Sequence, residues 1–429
     1  MIFFIQIFKS SSFGYRMILF YVILTHFIPG FLFETRQFKF IDDGTIYNKI
    51  DKSLAIFAFM LGYLFLLLLV DVGLKKIYYK TIISHRTSIL KGIMPFILML
   101  SLLVSIVSYF VLPRNFRYLD IGISESDSFF PLLVYTILPS LNTFFLFYHI
   151  FCGRFPFPAK YDFVKYFVVG SLFFSANGTN TFIVFLIGAL YIFFPKIIRK
   201  GCFIVKKNLL NFLIRPLLII LLIIIVVYPL AIIFGQSIKT GQSFDDAYVK
   251  LKDNGSEDMG SLQYEYGLIR FNQYYVSSKV SFYTYFAKLD IEKRVLFSMS
   301  IIKNLAYRFS RILKLPIEIQ KPQFSSASKI NFTHIAPYSS EREGTSTGLF
   351  AGFLYFFPTP FNILMLLGYS SFLMVIINNI SQVLFNKLSL LGMTLFLYWI
   401  FALFEGPIDF LLIIDDGFLV LLLYILYFL

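Results

Sequence analysis

Cysteine is nearly absent from this chain of 429 residues, which has only Cys152 and Cys202. Nothing in two such positions suggests a disulfide or metal framework. Charge is also scarce, since Asp, Glu, Lys and Arg make up 14% of residues while hydrophobic types make up 58%. That balance excludes an ordinary soluble globular composition. Strict alternation of apolar and polar residues, the mark of a transmembrane barrel, is missing as well. Stretches such as Leu66–Val70 and Ile219–Val227 are apolar on every side. No histidine cluster has metal-ligand spacing, and no internal repeat suggests the duplicated halves of many transporters.

What the chain has instead is a series of apolar runs near the length, roughly 20 residues, that carries a helix across a bilayer. Expected spans lie near 17–34, 53–73, 92–112, 128–151, 216–235, 361–385, 388–405 and 411–429. Helices satisfy their own backbone groups in lipid, so an all-α polytopic integral membrane protein follows. The run 163–195 is too long for one ordinary crossing and holds the polar stretch Ser175–Asn180 at its centre. Two short helices joined by a polar turn suit it, with one bent helix as the alternative. The count comes to about ten crossings, with both termini inside. The run Met17 to Phe33 lacks a small-residue cleavage site and is expected to remain as a helix rather than be removed as a signal.

The formal net charge of +14 has a positional explanation. Lys75, Lys76, Lys80, Arg86 and Lys91 form one basic cluster, and Lys196, Arg199, Lys200, Lys206, Lys207 and Arg215 form another. Both fall between apolar runs, where cytoplasmic loops collect positive charge. Nucleic acid is not needed to explain them.

The division into parts follows. Residues 1–235 form an N-terminal bundle, 236–360 a large loop on the outer side, and 361–429 the C-terminal helices. Within the loop, Gln242 to Gly260 is rich in acids, glycine and serine and reads as an exposed, mobile loop. Residues 289–315 repeat apolar side chains at Ile291, Val295, Met299, Ile302, Leu305, Phe309 and Ile312. That spacing marks one face of a helix, with Lys293, Arg294, Lys303, Arg308, Arg311 and Lys314 around the rest. Two readings stand: the apolar face packs on the membrane domain with a solvated basic face, or the helix lies on anionic lipid or offers charge to a lipid-linked phosphate. Residues 346–357 suit a shallow interfacial or re-entrant helix.

Candidate chemistry gathers in the loop. Arginine binds phosphate oxygens bidentately and keeps its charge, so Arg270 and Arg342 are candidates for a diphosphate clamp. Tyr266, Asn272, Tyr274 and Tyr275 surround the first, and Tyr338, Glu341 and Glu343 surround the second. Amide and aromatic groups of this kind hydrogen-bond and stack on sugars. His334, one of four histidines, can hold or accept the proton of an attacking hydroxyl. Its bland alternative is a structural loop histidine. Asn177 and Asn180 either line a substrate cavity or simply close a tight turn.

On these features the chain resembles a bacterial O-antigen or capsule repeat-unit polymerase of the Wzy type. The paired short spans near 163–195, the long loop with an arginine near its start, and Pro337-Tyr338-Ser339 through Gly344–Gly348 carry the resemblance. It implies a GT-C-like glycosyltransferase in the bacterial inner membrane with its main loop in the periplasm. The implied donor and acceptor are undecaprenyl-diphosphate-linked oligosaccharides. A chain-length regulator is an implied partner, and neither a cofactor nor a metal is required. The family often carries an arginine in the turn between its paired spans, where this chain has Asn177, Thr179 and Asn180. An O-antigen ligase shares the same plan, and a lipid-linked oligosaccharide flippase is the rival from the transporter class.

Overall fold

The structure is a computed structural model that describes residues 11–35, 53–78, 90–112, 129–155, 157–193, 227–253, 274–282, 291–312, 315–317, 319–320, 348–355, 359–384 and 404. In chain order its helices are α1, Phe13–Glu34; α2, Ser53–Tyr78; α3, Leu90–Val111; and α4, residues 129–152. They continue with α5, Val164–Phe174; α6, Thr179–Phe193; α7, Tyr228–Thr240; and α8, Phe244–Asp253. The remainder are α9, residues 274–282; α10, Ile291–Ile312; α11, Gly348–Leu354; and α12, Phe361–Leu384. Among the described residues there is no strand.

Five of these helices are long and apolar enough to cross a bilayer: Phe13–Glu34, Leu54–Leu74, Gly92–Val111, Leu133–Ile150 and Phe361–Asn379. The protein is therefore an all-α, multi-pass membrane protein. Apart from Phe404, the expected spans near 388–405 and 411–429 lie outside the described residues, as does all of 216–235 before residue 227.

The chain divides into two units, each assembled from distant segments. One combines residues 1–82, 265–383 and 400–413, and the other combines 83–264, 384–399 and 414–429.

In the second unit, α5 and α6 form an antiparallel hairpin. Tyr166 meets Phe193 at its open end and Phe173 meets Phe185 near the turn. With 11 and 15 residues, the arms are about 17 and 23 Å long, short of a bilayer core about 30 Å thick. The turn is buried and reaches Tyr135, two residues inside the Leu133 end of the neighbouring span. The hairpin is fastened by hydrogen bonds between apolar helices. Asn142 on α4 donates through Nδ2 to the Ser171 hydroxyl on α5 at 2.9 Å and to the Leu138 carbonyl at 2.8 Å. Ser105 on α3 meets the same Ser171 hydroxyl at 2.9 Å. Small polar groups of this kind join helices that have no hydrophobic reason to associate in lipid. On the hairpin's other arm, Phe182 stacks on Phe234 of α7 with ring centres 4.0 Å apart.

Beyond α7, the stretch expected to be an open loop is helical over Phe244–Asp253. The Ser243 hydroxyl accepts from the Asp246 backbone N–H at 3.1 Å, and Asp245 and Asp246 sit in the first turn. Acids there complement the positive end of the helix, so the composition that suggested a loop starts a helix instead.

The first unit is built around α1 and α2. Gly14 lies so close to α12 that an added β-carbon would stand 2.6 Å from the Met374 carbonyl oxygen. At the same end, the Gly14 N–H donates to Asn378 Oδ1 at 2.7 Å and the Ser12 N–H to Asp71 Oδ2 at 2.8 Å. Midway along the span, Tyr63 and Ser370 join α2 to α12 by a hydrogen bond between hydroxyls. Near its other end, α1 receives α9 and α11, both wholly buried. All seven residues of α11 are enclosed by protein.

Candidate functional site

The site in the first unit begins with an irregularity in α1. Residues Ile23–Phe27 form a π-turn, and Pro29 follows two residues after it. Proline has no N–H to donate back to the carbonyl four residues earlier, here that of Thr25, so the regular ladder breaks at this point. The widened turn carries Thr25 and His26.

His26 is completely buried, with both ring nitrogens engaged. Nδ1 lies 2.7 Å from the Thr25 hydroxyl, and Nε2 lies 3.1 Å from the Ser278 hydroxyl on α9. The Thr25 hydroxyl gives its one proton to the Tyr21 carbonyl at 2.7 Å, so toward the imidazole it accepts. The proton of a neutral His26 then sits on Nδ1, and Nε2 accepts from Ser278. The ring also meets Phe350 of α11 edge-on, with centres 5.0 Å apart.

Helix α9 presents one periodic face to α1 and α2. Tyr275, Ser278, Lys279 and Phe282 stand at i, i+3, i+4 and i+7, the spacing of neighbours along one side of a helix. Tyr275 stacks on Phe57, and Phe57 stacks on Phe27, both with ring centres 5.6 Å apart. Gly30 makes this possible: a β-carbon there would stand 2.5 Å from the Tyr275 ring. Phe282 packs against Phe59.

The same face carries a buried ion pair. Lys279 Nζ donates to Glu34 Oε1 at 2.5 Å, and the Tyr275 hydroxyl donates to the same oxygen at 2.8 Å. The lysine side chain is 3% exposed and the glutamate 27%, so the cation is the enclosed partner. The ammonium also stands 5.3 Å from the centre of the Phe33 ring. Burial, and then the Glu34 carboxylate, push the Tyr275 phenol above its ordinary range, so it stays a neutral donor. An ammonium this enclosed requires its counter-charge, and the pair fixes α9 to the end of α1.

The first turn of α11 closes the group. Gly348 has φ of +67°, and a β-carbon there would lie 3.0 Å from the Tyr274 ring and 3.4 Å from the Tyr21 hydroxyl. Tyr274 and Tyr21 are themselves ring neighbours at 6.3 Å. Thus α9 and α11, more than sixty residues apart in sequence, meet the same tyrosine of α1.

Of the residues singled out in the sequence, Tyr274 and Tyr275 lie in this group, both buried. Asn177 lies in the other unit, where its side-chain amide donates to the Tyr135 carbonyl at 3.1 Å and its Oδ1 accepts from Thr181. Asn180 lies in the first turn of α6. Tyr266, Arg270, Asn272, His334, Tyr338, Glu341, Arg342 and Glu343 lie outside the described residues. Sequence reasoning passed over His26, Glu34, Ser278 and Lys279. A signal for three of them was present in the polar residues His26 and Glu34 on an apolar span and in the periodic face that includes Lys279. No group of three or more histidine, cysteine or acidic side chains among the described residues could hold a metal ion.

No protein-family model matches this chain, no curated protein matches it, and no solved structure matches it.

Proposed function

We propose that the protein is a glycosyltransferase of the bacterial inner membrane that polymerises undecaprenyl-diphosphate-linked oligosaccharide repeat units, with a GT-C-like architecture and its active face toward the periplasm. The observation that carries this reading is the return of the long inter-span segment into the span bundle at α9 and α11. Arg270 precedes Tyr274 by four residues, and Arg342 precedes Gly348 by six. Chain length alone keeps their α-carbons within about 14 and 22 Å of those two residues. Tyr274 and Gly348 meet at Tyr21, so the chain segments that lead from the two arginines converge on one side of a span.

A lipid-linked diphosphate needs this combination. Its prenyl chain stays in the bilayer while fixed cations at the boundary hold its phosphates. In the reaction, the bond between the donor sugar's anomeric carbon and the diphosphate oxygen breaks. The diphosphate leaves with the bonding electrons, and Arg270 and Arg342 stabilise the charge that develops on it. An acceptor hydroxyl on the second lipid-linked unit forms the new bond to that carbon. Its proton passes to His334, Glu341 or Glu343. Tyr266, Asn272 and Tyr338 supply sugar contacts. The leaving group drives the step without a nucleotide.

The test is chain extension by purified protein given one defined undecaprenyl-diphosphate repeat unit. Arg270→Ala and Arg342→Ala should each lower extension by about a hundredfold or more, the scale of losing one charge-stabilising donor. Lys at either position should restore only part of it. Native extension by both alanine variants would remove the clamp from the mechanism.

A further inference from the structure

Over its described side chains, helix α10 is inside out relative to a soluble amphipathic helix. Val295, Leu296, Met299 and Ile302 are 45–52% exposed, although they include the apolar stripe that ordinarily seeks a core. Among the α10 side chains that are described, the enclosed ones are Phe297, Ser298, Ser300, Asn304 and Ser310, four of them polar. The stripe's exposure is close to that of Leu61, Phe65 and Leu69 on the bilayer side of α2, at 53–58%. An apolar face is left outward in this way when its surroundings are hydrocarbon rather than water.

We propose that α10 seats this stripe in the acyl-chain edge of one leaflet, and that the leaflet is anionic. Charge selects that partner. Helix α10 carries five basic residues, Lys293, Arg294, Lys303, Arg308 and Arg311, against one acid, Glu292, in its first turn, and Lys314 follows just beyond its end. Lys303 is exposed and lies one residue beyond Ile302, where a cation flanking the stripe reaches headgroup phosphates. The tether agrees. Phe282 packs on Phe59, inside the span Leu54–Leu74, and the nine-residue step to Ile291 spans at most about 32 Å. The helix therefore starts within about one bilayer thickness of a membrane-embedded residue. This anchoring does not depend on the glycosyl-transfer reading and holds for any activity the protein has.

The chain has one tryptophan, Trp399, which makes a direct test simple. Met299→Trp and, separately, Ile302→Trp are made in a Trp399→Phe background and reconstituted into vesicles of phosphatidylcholine and phosphatidylglycerol. Bromine is placed on the acyl chains of one lipid at a time. Both reporters should lose at least half their emission to brominated lipid and less than a tenth to aqueous iodide. Phosphatidylglycerol should quench more per bromine than phosphatidylcholine, and Lys303→Glu should reduce that preference. Quenching by iodide instead of bromolipid would place the stripe in water and overturn the proposal. Quenching by neither would mean that protein covers it, a second copy included, and would overturn it equally. Equal quenching by the two lipids would overturn the anionic assignment.

Discussion

Replacing Glu34 with glutamine isolates one charge, because the amide that results keeps an oxygen able to accept from Tyr275 and has nearly the same volume. What remains is the Lys279 ammonium, 3% exposed and without its carboxylate. At the observed 2.5 Å separation the pair attracts by roughly 6–7 kcal/mol at an effective dielectric of about 20, before desolvation is set against it. Breaking a buried pair by removing one partner costs about 3–5 kcal/mol. Because Glu34 is partly open to water, solvent can replace some of its interaction, so Glu34→Gln should destabilise the fold by about 2–4 kcal/mol. Lys279→Met removes the enclosed charge and leaves the better-solvated one, so it should cost about 1–2 kcal/mol. The double variant should return to within about 1 kcal/mol of the native protein, as when a buried pair is replaced by apolar groups of similar size. The assay is SDS titration of the protein in mixed micelles, followed by far-ultraviolet circular dichroism. Lys279→Met proving more damaging than Glu34→Gln would refute the argument that the lysine is the enclosed member. Additivity of the two changes within about 0.5 kcal/mol would refute the pair itself.

Two further outcomes test how helices are held together within each unit. Gly14→Val would drive a side chain into the Met374 backbone, 2.6 Å from its carbonyl oxygen, where only movement of α12 can relieve the clash. A loss of about 1–3 kcal/mol is expected in the same titration, and an unchanged midpoint would contradict the close crossing. Asn142→Leu removes the amide shared with Ser171 and the Leu138 carbonyl, and should cost about 0.6–1.7 kcal/mol. Ser171→Ala in that background should add less than it does alone, since both act through the same hydrogen bond.

The membrane-spanning helices were legible in the sequence because crossing hydrocarbon imposes a length and a composition that do not depend on the rest of the fold. Phe13–Glu34 and Leu54–Leu74 lie close to their expected limits for that reason. The site was less legible. Lys279 reads as a loop cation until Glu34, 245 residues away, is placed beside it. Local pattern contains no such information. In α10 the periodicity of the stripe was visible, but periodicity does not say whether its face meets protein or lipid. Val295, Met299 and Ile302 are about half exposed, where packing of the stripe on the membrane domain would enclose them. In Phe244–Asp253 the acids were read as solvating a loop, whereas their position after Ser243 makes them first-turn residues of a helix. The glycines of α11 were read as breaks in an interfacial or re-entrant helix, and Gly348 is also what lets it approach Tyr274 and Tyr21.

Glycosyl transfer between lipid carriers is the central claim, and reconstitution tests it most directly. Purified protein in vesicles, supplied with a single synthetic undecaprenyl-diphosphate repeat unit and no nucleotide, should yield a ladder of products lengthened by whole repeats, with undecaprenyl diphosphate released once per bond. The matching repeat unit left at its original length, with the protein folded and the substrate on the side of the 236–360 loop, would contradict it.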